Sequence, residues 1–123
     1  MEEGGFTHEF QRKIPLDKRK EESMRITQKH PKRVPIIIER AESCVTVPDI
    51  DKKKFLVPDD LTVGQLMFVV RKRLKNLTAE QGLFFFINNS MQPPSAILRT
   101  VYHDHKHEDG FLYVLYASEN TFG

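Results

Sequence analysis

The chain has 123 residues, 39% of them hydrophobic and 29% charged, a balance that fits one globular domain with a single core and excludes disorder from end to end. Its one cysteine, Cys44, cannot close an internal disulfide, and no apolar run is long enough for a signal sequence or a membrane span, so a cytoplasmic protein is expected. Nineteen basic against seventeen acidic residues leave a net charge of +2, so any attraction to anions must come from how the charges are arranged.

Residues 1–30 are polar. In "PLDKRKEESMRITQKHP" Pro15 marks a helix start and Pro31 a stop, with good helix formers and few core residues between them. The pattern predicts a thinly amphipathic helix lying on something larger. "RVPIIIERA" is a short, β-branched apolar run bounded by Pro35 and charges, which predicts a buried strand, and "KKKFLVP" predicts a second strand stopped by Pro58. In "DDLTVGQLMFVVRKRLKNL" Val63, Leu66, Met67, Val70 and Leu74 are spaced as one helix face, with acidic and threonine residues ahead of them and cations in the last turns. "LFFFIN" predicts a third strand, "NNSMQPP" a turn, "SAILRTVYHDHK" a short helix and "GFLYVLYAS" the last strand. Two strands, a long helix and two further strands follow the order of a β-grasp, an α+β fold of ubiquitin type, although other small sheets share that order. Residues 1–30 are expected to be a helical extension packed on the core, 31–118 the β-grasp core, and 119–123 a flexible tail.

Alternation along "KKKFLVP" predicts that Lys52, Lys54 and Leu56 face one way while Lys53, Phe55 and Val57 face the other. Such a lysine-guarded strand suits a solvated sheet edge that resists aggregation, and the same edge can accept an extended peptide as an added strand. Arg33, Lys52, Lys53, Lys54, Arg71, Lys72 and Arg73 form a basic cluster that is either a solvated surface or a guide for ligands with acidic flanks. "LFFFIN" brings aromatic residues to a strand, but the glycine-aromatic pattern of an RNA-recognition sheet is missing and three successive phenylalanines cannot all point outward, so no nucleic-acid partner is expected.

In "HDHKHED" His103 and His107 would share a helix face, yet no further Cys or His completes a ligand set, and a solvated, frayed helix end explains the run more simply. A lone Cys44 beside a strand is read as packing, not as a nucleophile, so neither an enzyme nor a cofactor or metal site is expected. The chain stops at "ENTFG". Glycine lacks a Cβ, so a terminal glycine leaves its carbonyl open to approach and can serve as a chemical handle.

The stretches "KRVPIIIE", "DKKKFLVPDDLTVGQLMFVVRKRL", "LFFFINN" and "EDGFLYVLYASENTFG" together resemble the autophagy-related ubiquitin-like modifiers, the GABARAP-type family, from about Pro15 to Gly123. The resemblance implies two N-terminal helices added to a β-grasp core. It also implies processing by a cysteine protease after the glycine of "TFG", then joining of Gly123 to phosphatidylethanolamine by activating and conjugating enzymes. It implies a groove for aromatic-x-x-aliphatic motifs of cargo receptors and adaptors. The aromatic pocket would be lined by Glu22, Ile26, Pro35, Lys54, Leu56 and Phe111, and the aliphatic pocket by Phe55, Val57, Pro58, Leu61, Leu66 and Val69 with Arg73 at its rim. Arg33, Lys52 and Lys53 would add an electrostatic rim. The chain departs from the family pattern in carrying Leu66 where an aromatic residue is common, in single-residue insertions near Cys44 and Asn76, and in the leading "MEEGG". The implied location is cytoplasmic, with the autophagosome membrane as the site of the lipidated form. An unconjugated β-grasp adaptor that uses only the groove is the alternative.

Overall fold

The computed structural model describes residues 8–42, 47–74, 77–78 and 81–118. The leading "MEEGG", Cys44, Asn76 and the tail through Gly123 lie outside the described residues. The elements run α1 (Glu9–Lys13), α2 (Leu16–Lys29), β1 (Arg33–Arg40), β2 (Lys54–Pro58), α3 (Val63–Arg73), β3 (Leu83–Ile87), β4 (Ser90–Met91), α4 (Leu98–His105) and β5 (Leu112–Ser118). The strands form one five-stranded sheet in the order β2-β1-β5-β3-β4. β1 and β5 pair in parallel at its centre, and the other ladders are antiparallel. This is the expected β-grasp. No helix among the described residues is long and apolar enough to cross a membrane.

The central strand β1 is buried without a break from Val34 to Glu39, because helices cover both faces of the sheet there. On one face α3 buries Val63, Leu66 and Val70 against Ile36, Ile38, Phe85 and Val114. Its start is fixed by a capping box in which Gln65 N–H donates to Thr62 Oγ1 at 3.1 Å and Thr62 N–H donates to Gln65 Oε1 at 2.9 Å. On the other face Phe10, Ile37 and Phe111 form a second, smaller core, flanked by Ile14, Ile26 and Tyr113.

The thin amphipathicity of α2 has a physical reason: the residues it buries are Arg19 and Ser23, not an apolar stripe. Arg19 Nη1 pairs with Asp109 Oδ2 at 2.6 Å and Ser23 Oγ donates to the Asp109 carbonyl, so the helix rests on the turn before β5. Gly110 takes φ +94 in that turn and has Ser23 against it, which leaves no room for a Cβ. The five-residue α1 is held by Glu39 of β1, whose carboxylate accepts from Glu9 N–H at 2.8 Å and Phe10 N–H at 3.1 Å. Lys53 pairs with Glu9, and together with Lys13 it holds the Glu9 carboxyl down to about 2.

Three local expectations change. "NNSMQPP" is more than a turn: Asn88 and Asn89, both at positive φ, make a tight two-residue reversal into the short strand β4. α4 ends at His105, so His103 and His107 do not share a helix face; His103 and Asp104 are the solvated helix end that the run suggests, whereas Asp109, its last residue, is buried. The alternation along "KKKFLVP" holds only from Lys54, where the strand begins. Lys52 lies over the Phe55 ring and Lys53 turns to Glu9, because both precede the pleat.

Candidate functional site at the open sheet edge

Among the described residues β2 pairs only with β1, so its other side is an edge. The register sets Val34 opposite Val57, Ile36 opposite Phe55 and Ile37 opposite Lys54, and the Ile38 amide donates to the Lys53 carbonyl at 2.8 Å. Bonded pairs alternate in an antiparallel ladder, so residues 53, 55 and 57 bond inward, and the main-chain groups of Lys54 and Leu56 face the open side. Those two residues offer a strand-shaped partner its donors and acceptors. Arg33 Nη1 occupies one of them, donating to the Leu56 carbonyl at 3.2 Å.

Apolar side chains, with cations beside them, flank that edge on both faces. On the α2 face Leu56 is half-buried opposite Pro35, Ile26 packs on the Phe10, Ile37 and Phe111 cluster, and Lys54 Nζ reaches Glu22 Oε2 at 2.7 Å. The six residues assigned to the aromatic pocket are thus brought together. Phe10 was missed: it packs edge-on against Phe111 at 5.3 Å, with Lys54 Nζ 5.3 Å over its ring. Its signal was the apolar spacing in "FQRKI", read only as part of a polar extension.

On the α3 face Phe55, Val57 and Leu66 belong to the main core, Leu61 packs against it half-buried, and Val69 and Pro58 are exposed. Leu66, at 1% exposure, would therefore be the floor of the expected aliphatic site, while Val69, at 37%, would be an open wall. Lys52 Nζ and the Arg73 guanidinium sit 5.2 and 6.0 Å from the Phe55 ring centre, and Arg73 also approaches Asp51 at 3.7 Å. Of the three rim cations, Lys53 is the one tied to the N-terminal helix through Glu9. A cleft of about 500 Å³ lies away from this edge, lined by His8, Gln11, Asn88, His105 and Tyr113 among others. His8 is buried there with no hydrogen bond to its Nδ1, and burial, then Arg12 and Lys53, lowers its pKa to about 4.

A β-grasp sheet with helices added at its N-terminus and an open edge between two apolar sites defines a ubiquitin-like protein. The sequence profile described as "Autophagy protein Atg8 ubiquitin like" matches residues 18–123, and the chain belongs to that family. It is 54% identical over 114 residues to autophagy-related protein 8d of Arabidopsis thaliana, covering 93% of each chain. It is 53% identical over 114 residues to autophagy-related protein 8 of Kluyveromyces lactis, covering 93% of this chain and 90% of that one. The crystal structure of Trypanosoma brucei ATG8 superposes with a TM-score of 0.86 at 40% identity, covering 94% of this chain and 98% of the other.

Proposed function

We propose that the chain is a ubiquitin-like autophagy modifier, joined through Gly123 to phosphatidylethanolamine and recruiting cargo receptors and adaptors through the β2 edge. The observation that carries the groove is the pair of outward main-chain positions, Lys54 and Leu56, set between the aromatic and aliphatic sites. An extended peptide adding there gains main-chain bonds and places alternate side chains in the two sites. In the conjugation chemistry the chain is the substrate. Its terminal carboxylate is adenylated, passed as a thioester to enzyme cysteines, and released when the lipid amine displaces the thiol to form an amide. The protein is cytoplasmic before that step and on the autophagosome membrane after it.

Calorimetric titration tests the groove. A peptide carrying an acidic residue before Trp-x-x-Leu binds with micromolar affinity, because a few anchors on one edge bury little surface. Leu56→Ala, which removes a half-buried wall without touching the core, weakens binding about tenfold. Unchanged affinity in that variant would remove the aromatic site from the proposal.

A further inference from the structure

A cleft at the Pro58 end of β2 gathers more positive charge than the packing around it requires. It encloses about 300 Å³ between the end of α2, the start of β1 and α4, and Thr27, Arg33, Asp59, Arg99, Tyr102 and Lys106 are among its lining. Three cations enter against one carboxylate, a local excess of two positive charges. Asp59 is already committed: Arg99 Nε and Nη2 donate to its two oxygens at 3.1 and 3.2 Å, and the Arg99 amide donates to the Asp59 carbonyl at 2.8 Å. That fork fixes the Arg99 plane. Lys106 Nζ lies 5.3 Å over the Tyr102 ring, which is itself held by its hydroxyl donating to the Gly110 carbonyl at 2.6 Å. Among the described residues neither Arg33 nor Lys106 pairs with a carboxylate.

The cleft is continuous with the peptide edge. Arg33 stands opposite Pro58 in the ladder, and Asp59, the next residue, lines the cleft. An aromatic anchor near Lys54 and an aliphatic anchor near Val57 and Pro58 make the peptide run parallel to β2, so it leaves the edge toward this cleft. Arg33 also links the two sites, since its guanidinium rests on the Leu56 carbonyl. A peptide amide that takes that oxygen releases Arg33 to the cleft.

We propose that the Arg33–Arg99–Lys106 cleft binds an anionic group, carboxylate or phosphate, on the segment of a bound peptide that follows its aliphatic anchor. At about 3.3 Å per extended residue, each residue past the anchor carries the peptide further beyond the end of β2, on the side where Asp59 and Arg33 line the cleft. A phosphate, with more charge and three acceptor oxygens, is the stronger occupant. The inference rests on the peptide-edge reading above.

The test uses three peptides sharing one acidic-Trp-x-x-Leu core and differing in a single downstream residue: serine, glutamate or phosphoserine. In anisotropy titrations the glutamate peptide binds about two- to threefold tighter than the serine peptide and the phosphoserine peptide about five- to tenfold tighter. Arg99→Gln and Lys106→Gln erase both gains while leaving the serine peptide unchanged, since neither side chain lines the two anchor sites. Equal binding of all three peptides to the wild type overturns the proposal, as does a gain that survives both substitutions. A glutamate gain without a larger phosphoserine gain assigns the cleft to carboxylates alone and overturns the phosphate part. If the serine peptide fails to bind, the edge reading fails, and free O-phosphoserine then tests the cleft alone. Saturable amide shifts at Arg99 and Lys106, lost in Arg99→Gln, retain it, and their absence overturns it. Arg99-dependent binding to phosphatidylcholine vesicles containing phosphatidylserine, without any peptide gain, reassigns the cleft to membranes and overturns the proposal.

Discussion

Arg19 and Asp109 stand 90 positions apart and meet in a 2.6 Å ion pair whose side chains are 3% and 0% exposed. The Asp109 carboxylate also accepts from the Phe111 amide at 2.9 Å and the Tyr113 hydroxyl at 2.5 Å. Burial and then Asp109 push the Tyr113 phenol above its ordinary value. Removing one partner strands the other without water. Asp109→Ala therefore costs about 3–5 kcal/mol. Denaturant unfolding measures the loss, and amide exchange places it first in α2. A paired replacement, Arg19→Met with Asp109→Leu, recovers part of it.

Acid sensitivity follows from His8. Its pKa is about 4 in the fold, against 6.5 when unfolded. The folded state keeps it neutral, so the unfolded state alone takes up a proton as pH falls. Its contribution is intact above pH 6.5 and lost progressively down to about 4. The drop is on the order of 3 kcal/mol. Glu9 acts in the same direction but lower, between 4.5 and about 2. His8→Leu should flatten stability between pH 6.5 and 4.5, and urea midpoints across that window check it. A slope unchanged by the substitution would assign the acid loss elsewhere.

The cations around Phe55 should act on encounter if they guide a peptide. Lys52 lies 5.2 Å from that ring with its charge available to an acidic flank, whereas Lys54 is shared with Glu22. Raising salt should slow association of the acidic peptide more than it speeds dissociation. Lys52→Ala should reduce the salt slope of the association rate. Stopped-flow rates at low and high salt decide it, and an association rate indifferent to salt would return the cluster to plain surface.

Gly123 should be separable from the groove. Under the proposed conjugation, a side chain there would crowd the carbonyl that enzyme thiols and then the lipid amine attack. Gly123→Ala should fold normally, bind the peptide as before, and conjugate poorly in a reconstitution with activating and conjugating enzymes, nucleotide and phosphatidylethanolamine. Intact mass reports the adduct. A variant lacking residue 123 that still gains the lipid mass would end the terminal-handle reading.

Gly110→Ala isolates the helix contact. A Cβ at φ +94 is strained and collides with Ser23, at a cost of about 1–3 kcal/mol. Thermal unfolding should show the loss, and Ser23→Gly in the same chain should return part of it by removing the collision.

Elements whose apolar residues follow a simple period were legible in the sequence. Val63, Leu66 and Val70 announced α3, and the run Ile36, Ile37, Ile38 announced a buried strand. What escaped was polar and distant. Nothing local in "HEDG" says that Asp109 will receive Arg19 from 90 residues away, and Glu39 looked like the end of an apolar strand, not the acceptor for two α1 amides. Lys52 and Lys53 escaped for a different reason: alternation applies only where the pleat exists, and it begins at Lys54. The pocket residues came from resemblance. The fold gathers them, but the outward main chain of Lys54 and Leu56 needed the register.

The parallel pairing of β1 with β5 has a mechanical consequence. If Gly123 carries the lipid and the β2 edge the cargo, as proposed, any pull on the cargo runs through β5, which lies in the middle of the sheet between β1 and β3. Tension along β5 shears the ladder that joins Ile36 through Arg40 to Leu112 through Tyr116, so its bonds share the load together instead of opening one after another. The weaker link under tension is then the peptide on the edge, and cargo would detach before the tether's own domain unravels.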